Sequence, residues 1–201
     1  MLDAGKLTDF LATIKIWLDS NPVEVVTILL TNPDSFPISK FGEAMVTSRL
    51  STYAYAPKKT LSLEEWPTLQ ELIDADHRLV VFLDYGADAS VVPYILDEFT
   101  YFFETSYSET DPEFKNCDMD RPAGAVSKTR MYIINHMLHT KISVIEVPDR
   151  AAAAVTNSAD DIVKQIWTCF FKWSTFPRVV LLDFFDQDVR FDIWNLTNDR
   201  R

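Results

Sequence analysis

Three polar residues each close an apolar run. Asp84 follows Leu79-Val80-Val81-Phe82-Leu83, and Tyr85 follows it directly. His136 ends Met131-Tyr132-Ile133-Ile134-Asn135, and Asp183 ends Val179-Val180-Leu181-Leu182. Parallel α/β sheets gather their chemistry at the carboxyl ends of strands. Two carboxylates and an imidazole at one such end could divide acid–base work or hold a polar substrate. The plainer reading stands beside this one. A strand-end Asp often caps or turns the chain, and a lone His is often a hydrogen-bonded structural residue. Paired carboxylates at Asp84 and Asp183 would also suit a glycosidase-like barrel.

Other chemistries find less support. His136 and His139 are spaced as a metal pair, but that spacing needs a helix and the segment reads as strand, so no metal site is expected. GxSxG, CxxC and HExxH are absent. With only four Gly there is no GxGxxG or GxxxxGK[ST] phosphate cradle, and no cofactor is expected. Nothing near Cys117 in sequence would activate it as a nucleophile. Cys117 and Cys169 are open to two readings, one disulfide or two buried thiols. Asn195-Leu196-Thr197 is a glycosylation sequon of a kind that also arises by chance.

The net charge of −11 argues against nucleic acid and anionic membrane surfaces, with Lys58-Lys59 the only short basic candidate. No apolar run approaches a transmembrane span. Residues 1–18 carry a helical pattern rather than a signal peptide's basic, apolar, small-residue order.

The elements that must position these residues alternate between helix and strand. Leu7, Phe10, Leu11, Ile14, Trp17 and Leu18 form one apolar stripe, and Ser20-Asn21-Pro22 ends that helix. Residues 23–31 read as a buried strand, 39–48 as a short helix, and 68–75 as a helix capped by Thr68. Residues 78–84 form a second buried strand, and the aromatic-rich 91–103 read as a helix. Residues 105–130 are polar and read as one long loop, a common setting for function. Strands follow at 131–135, 142–147 and 178–183, with a helix at 159–173; Ala151–Ala154 reads as a helical or loop spacer. Such alternation implies a parallel sheet. The four principal apolar runs are expected to pair as neighbouring parallel strands of one curved sheet. At 201 residues the chain falls short of the roughly 250 typical of an eight-stranded barrel. The fold class is therefore α/β, a partial or irregular (β/α) TIM-type barrel, read as a single domain over 1–201.

Longer stretches carry a resemblance. They include residues 2–11, Trp17-Leu18-Asp19-Ser20-Asn21-Pro22, Trp66-Pro67-Thr68-Leu69-Gln70-Glu71-Leu72-Ile73 and Arg78 through Asp88. Pro93 through Phe99, Asp120-Arg121-Pro122, Met131 through His136 and Val180 through Gln187 continue the match in order. Together they resemble fungal phospholipase-C-like phosphodiesterases, related to phosphatidylinositol-specific phospholipase C. The resemblance implies an irregular (β/α) barrel that cleaves a phosphodiester. One His deprotonates the attacking hydroxyl, another protonates the leaving oxygen, and an Arg or calcium ion stabilises the phosphoryl charge.

It also implies that the two histidines and the Arg sit on three strands preceding Leu2, so the chain is expected to lack them. His77, His136 and His139 do not match the pair. Asp183 matches the last-strand Asp that orients the first catalytic His, and Asp84, Tyr85 and His136 are candidate substrate contacts. Thr31 stands where calcium-dependent relatives place a Glu, which implies a metal-independent site or none. The expected substrate of the complete protein is a phosphodiester or phospholipid head group. The family is typically secreted, and a sheet lacking strands would expose edges that favour self-association. The alternative function is a non-catalytic barrel remnant that binds a ligand or partner.

Overall fold

The computed structural model describes residues 5–187; the sequon at Asn195 lies outside them. The chain divides into two compact units, Met1–Tyr101 and Phe102–Arg201. Among the described residues the strands form two three-stranded parallel sheets and one hairpin, not one sheet or a closed barrel.

In the first unit, helix α1 (Leu7–Ser20) leads to strand β1 (Val26–Leu30), helix α2 (Ile38–Thr47) and helix α3 (Leu69–Asp74). Strand β2 (Leu79–Leu83), strand β3 (Ile95–Asp97) and the single turn α4 (Glu98–Tyr101) complete it. The sheet runs β1-β2-β3 with both pairings parallel, Leu30 opposite Leu83 and Leu83 opposite Asp97. Strand β2 is buried on both faces, as its unbroken apolar run requires. Leu79, Val81 and Leu83 pack with Leu11, Leu18 and Met45. On the opposite face Phe82 meets Trp66 and Tyr101, themselves edge to face at 5.2 Å. Thr68 caps α3 as expected: its hydroxyl accepts from the Glu71 amide at 3.2 Å, and Glu71 Oε2 accepts from the Thr68 amide at 2.8 Å. Buried Arg78 donates to the Leu18 and Asn21 carbonyls at 2.9 and 3.0 Å, satisfying the end of α1.

In the second unit, strand β4 (Phe102–Glu104) pairs with β5 (Met131–His136). A hairpin of β6 (His139–Ile142) and β7 (Ile145–Pro148) follows, then helices α5 (Ala153–Thr156) and α6 (Ala159–Trp173) and strand β8 (Val179–Leu182). The sheet order is β4-β5-β8, parallel throughout, with His136 opposite Leu182. Its core gathers Phe103, Tyr132, Ile134 and Ile162 around a disulfide between Cys117 and Cys169, whose Cα atoms are 5.2 Å apart. That pairing resolves the two cysteine readings in favour of one bridge.

Two elements differ from expectation. Residues 91–103 do not form a helix. Pro93 interrupts any helical ladder there, and the segment instead makes β3, one helical turn and β4. Residues 142–147 are not one strand but span the hairpin turn, with Ser143 at φ 60°. The long polar segment 105–130 has no regular element beyond one 3-10 turn at Ser127–Thr129. No helix among the described residues is long and apolar enough to cross a membrane.

Candidate functional site

At the carboxyl end of the first unit's sheet, Asp84 is buried and its Oδ1 accepts the Asn32 and Tyr85 amides, each at 2.7 Å. Asn32 is buried beside it and donates to the Phe36 and Tyr85 carbonyls at 2.9 and 3.0 Å. These bonds tie the turns after β1 and β2 together. Gly86 follows at φ 82°, a backbone region open to glycine. Tyr85 itself is exposed, its ring against Phe99 with centroids 5.6 Å apart. Thr31 is exposed just past β1.

The second unit gathers more. The parallel register sets the ends of β4, β5 and β8 side by side, so Glu104, Asn135, His136 and Asp183 occupy one end of one sheet. The structure thus brings His136 and Asp183 onto neighbouring strand ends, while Asp84 belongs to the first unit.

Glu104 is 1% exposed. Its Oε2 accepts from Arg121 Nη2 at 2.6 Å and from Asn135 Nδ2 at 3.2 Å. The Glu104 amide donates to the Arg121 carbonyl at 2.8 Å, so backbone and side chain both dock the long loop on β4. Tyr107 lies beneath the Arg121 guanidinium at 5.3 Å. Thr105 Oγ1 accepts the Asn135 amide at 3.0 Å, and Asn135 Nδ2 also donates to the Thr105 carbonyl.

His136 is 1% exposed and both ring nitrogens are engaged. Nε2 lies 2.7 Å from the Thr156 carbonyl and Nδ1 contacts Gln165 Oε1. A carbonyl only accepts, so Nε2 carries the proton. Phe114 of the long loop stacks on the imidazole with centroids 4.0 Å apart. Asp161 Oδ2 is 3.6 Å from His136 Nε2 and makes no hydrogen bond among the described residues. Burial pushes the Asp161 carboxyl above the ordinary range, partly opposed by His136 and Lys164.

Asp183 is half-buried, and its carboxylate has no hydrogen bond or ion pair among the described residues. Its backbone is fixed: Asn157 Nδ2 donates to the Asp183 and Phe184 carbonyls at 2.8 and 3.2 Å. Thr156 and Asn157 are consecutive, so one short segment holds both His136 and the turn after β8.

Of the other histidines, His77 is exposed before β2, at the amino end of that strand, and His139 Nδ1 lies 3.3 Å from the Met137 carbonyl. No three His, Cys, Asp or Glu side chains converge as metal ligands among the described residues. Sequence reasoning missed Glu104, because its strand read as helix, and with it the Arg121 pairing. Asp120-Arg121-Pro122 was visible as a family word without a role. Asp161 and Gln165 are one helical turn apart on α6, a spacing that faces both toward one neighbour.

The PI-PLC X family model, described as PI-PLC X 1, matches residues 1–198. The chain is similar to a PI-PLC X domain-containing protein 1 of Arthroderma benhamiae, 46% identical over 186 residues, covering 90% of this chain and 61% of that protein. It is also similar to an uncharacterized secreted protein of the same organism, 38% identical over 197 residues, covering 92% of this chain and 44% of that protein. The chain therefore spans about three-fifths of one relative's length and under half of the other's. No solved structure matches. Matched by the family model from residue 1 to residue 198 and 46% identical to a PI-PLC X domain-containing protein, the chain belongs to the PI-PLC X family.

Proposed function

We propose that residues 1–201 form part of a phospholipase-C-like phosphoric diester hydrolase domain and have no turnover by themselves. In-line cleavage of a phosphodiester needs a base on one side of phosphorus and an acid on the other. The placement of the chain's three histidines carries the proposal. His136 is buried with both nitrogens engaged, His77 stands at the amino end of β2, and His139 lies in the hairpin. In the second unit His136 has no ring nitrogen left to shuttle a proton beside the Asp183 carboxylate, and His139 lies past the end of β5. Asp183 stands ready to orient an imidazole supplied from outside these residues, fixing its tautomer by accepting one ring N–H. Tyr85, exposed beyond β2, is the candidate substrate contact, while Asp84 and His136 act through the turns they hold. The substrate class is a phosphodiester, with a lipid head group first among candidates. The Cys117–Cys169 bridge favours an oxidising compartment and hence secretion.

The test is hydrolysis of phosphatidylinositol and of an aryl phosphodiester by this chain and by a longer form read from its own gene upstream of Met1. The chain should be at background. The longer form should turn over, lose activity in Asp183→Asn, and keep it in chelator. Turnover by the 201-residue chain, unchanged in Asp183→Asn, would overturn the proposal. The same histidine placement supports a second reading, a non-catalytic ligand-binding domain; a longer form that stays inactive yet binds head group would favour it.

A further inference from the structure

We infer that a second copy of this chain covers the outer edge of β8 and the aromatic flank of α6, the two chains pairing about a twofold axis. The Arg178 amide donates to the Tyr132 carbonyl at 3.0 Å, and the parallel register sets Val179 opposite Ile133 and Leu181 opposite Asn135. Arg178, Val180 and Leu182 therefore turn their main-chain groups toward β5. Val179 and Leu181 turn theirs the other way, where the described residues place no strand. Such an edge is a template for another strand.

Beside the edge lies an apolar flank. Phe170 and Phe176 stack with centroids 4.5 Å apart, and Trp167 meets both edge to face at 5.4 Å. Phe171 is 78% exposed and Phe176 40%. Next to the strand runs a groove of about 310 Å³ lined by Ile166, Phe176, Pro177, Arg178, Val179 and Val180. At about 200 Å² for a whole ring, Phe171 and Phe176 leave roughly 240 Å² in water. The groove and the edge extend that area toward the ~800 Å² per partner of a stable pair.

Two observations select a second copy. Lipid tails offer no partner to main-chain N–H and C=O groups, so the edge calls for a strand. Charge favours self-pairing at this flank. The chain carries −11, yet residues 162–182 hold no acid, and their cations are Lys164, Lys172 and Arg178. Lys172 pairs with Asp118, and Lys164 lies within electrostatic reach of Glu113 and Asp161. The flank is thus close to neutral, and two copies can meet here without bringing acid against acid. About a twofold axis each copy gives the other a strand for its edge and rings for its groove, and the contact closes at two chains. The covered strand is the one that ends at Asp183, so the second copy stands beside that end of the sheet. The inference is independent of the hydrolase proposal, because mass and exchange are read without turnover.

The experiment is sedimentation equilibrium of the 201-residue chain, joined to hydrogen exchange followed by NMR. Between about 1 and about 100 μM the mass should rise from one chain of 23.1 kDa to two and no further. The Val179 and Leu181 amides should gain protection over the same range. Phe171→Glu should weaken pairing about a hundredfold or more, since it sets a charge in the contact from both copies. Phe171→Ser, which adds no charge, should weaken it about tenfold. Phe171 is exposed on α6, so the circular dichroism of both variants should match the wild type. A monomer at every concentration, pairing unchanged in both variants, exchange of Val179 and Leu181 independent of concentration, or growth beyond two chains would each overturn the inference.

Discussion

Replacing both Cys117 and Cys169 with Ala tests what fixes the long loop over the second unit's sheet. The two residues are 52 apart in sequence and nearly fully buried. In the chain-entropy treatment, closing a loop of that length removes about 14 cal/mol/K from the unfolded ensemble, or about 4 kcal/mol at 25 °C. Alanine leaves small apolar side chains in the cluster of Phe103, Tyr132 and Ile134, so no polar group is stranded. For a unit of about 100 residues this loss lowers the melting temperature by roughly 15–30 °C. Thermal unfolding of the oxidised chain and the double variant, followed by circular dichroism, reads the difference directly. Hydrogen exchange adds a local readout. Residues 105–130 carry Phe114 onto His136 and Arg121 onto Glu104, so their amides should lose protection first in the variant. Alkylation under denaturing, non-reducing conditions should leave both thiols of the wild-type chain unmodified. Full alkylation there, or matching melting curves, would refute the reasoning.

Other perturbations reach the same end of the fold. Glu104→Gln removes the negative charge facing Arg121, whose side chain is 31% exposed; water offsets part of the loss, and the expected cost is about 2–3 kcal/mol by urea denaturation, with no change counting against the pair's role. Burial raises the Asp161 carboxyl above its ordinary 3.8 in the folded chain, so its contribution to stability is complete below about pH 3.8 and is lost as pH rises through the raised value. Asp161→Asn cannot ionise, and its melting temperature should therefore gain on the wild type from about pH 4 to about pH 7; parallel curves would contradict this. Among the described residues strand β8 is the last of its sheet and has half-buried side chains, and Trp167, Phe170 and Phe176 cluster on α6 and the turn after it beside exposed Phe171. Light scattering should show concentration-dependent association of the chain, and a monomer throughout the micromolar range would dispose of that expectation.

The strands that could be read from the sequence were the longer apolar runs, of which β2 and β5 are buried along nearly their whole length and β1 and β8 only in part. A run such as Leu79-Val80-Val81-Phe82-Leu83 announces a parallel strand because each side chain must be apolar. Helix α6 was legible with its bounds, since Ile162, Ile166 and Cys169 repeat at helical spacing and are buried. Three-residue strands show no period, so β3 and β4 disappeared into an aromatic-rich stretch that mimicked a helix. The hairpin was hidden for a related reason: its turn uses Ser143 and Val144, without the Asn-Gly or Asp-Gly signal. Asp84, His136 and Asp183 could be found from their strand-end positions, but their partners could not. Asn32 lies 52 residues from Asp84, and Gln165 lies 29 from His136. The disulfide was open for the same reason, since two cysteines say nothing of their separation in space.

The two sheets end differently, and the contrast bears on where chemistry can be done. In the first unit Asp84 Oδ1 is already spent on two amides, which makes the turn after β2 rigid and leaves Tyr85 as the exposed group. In the second, Glu104 and His136 are satisfied by the loop and by α6, whereas the Asp183 carboxylate is not satisfied among the described residues. Yet its backbone is bound by Asn157, whose neighbour Thr156 binds His136. A carboxylate that is positioned but unused fits the orienting role proposed above for Asp183. On the proposed phosphodiesterase reading His136 is a positioning residue, and loosening it is expected to displace the Thr156–Asn157 segment and shift Asp183 with it. In an active longer form, His136→Asn should lower kcat, leave KM nearly unchanged and move the pH profile. A purely structural role would lower only the yield of folded enzyme, with its kcat intact.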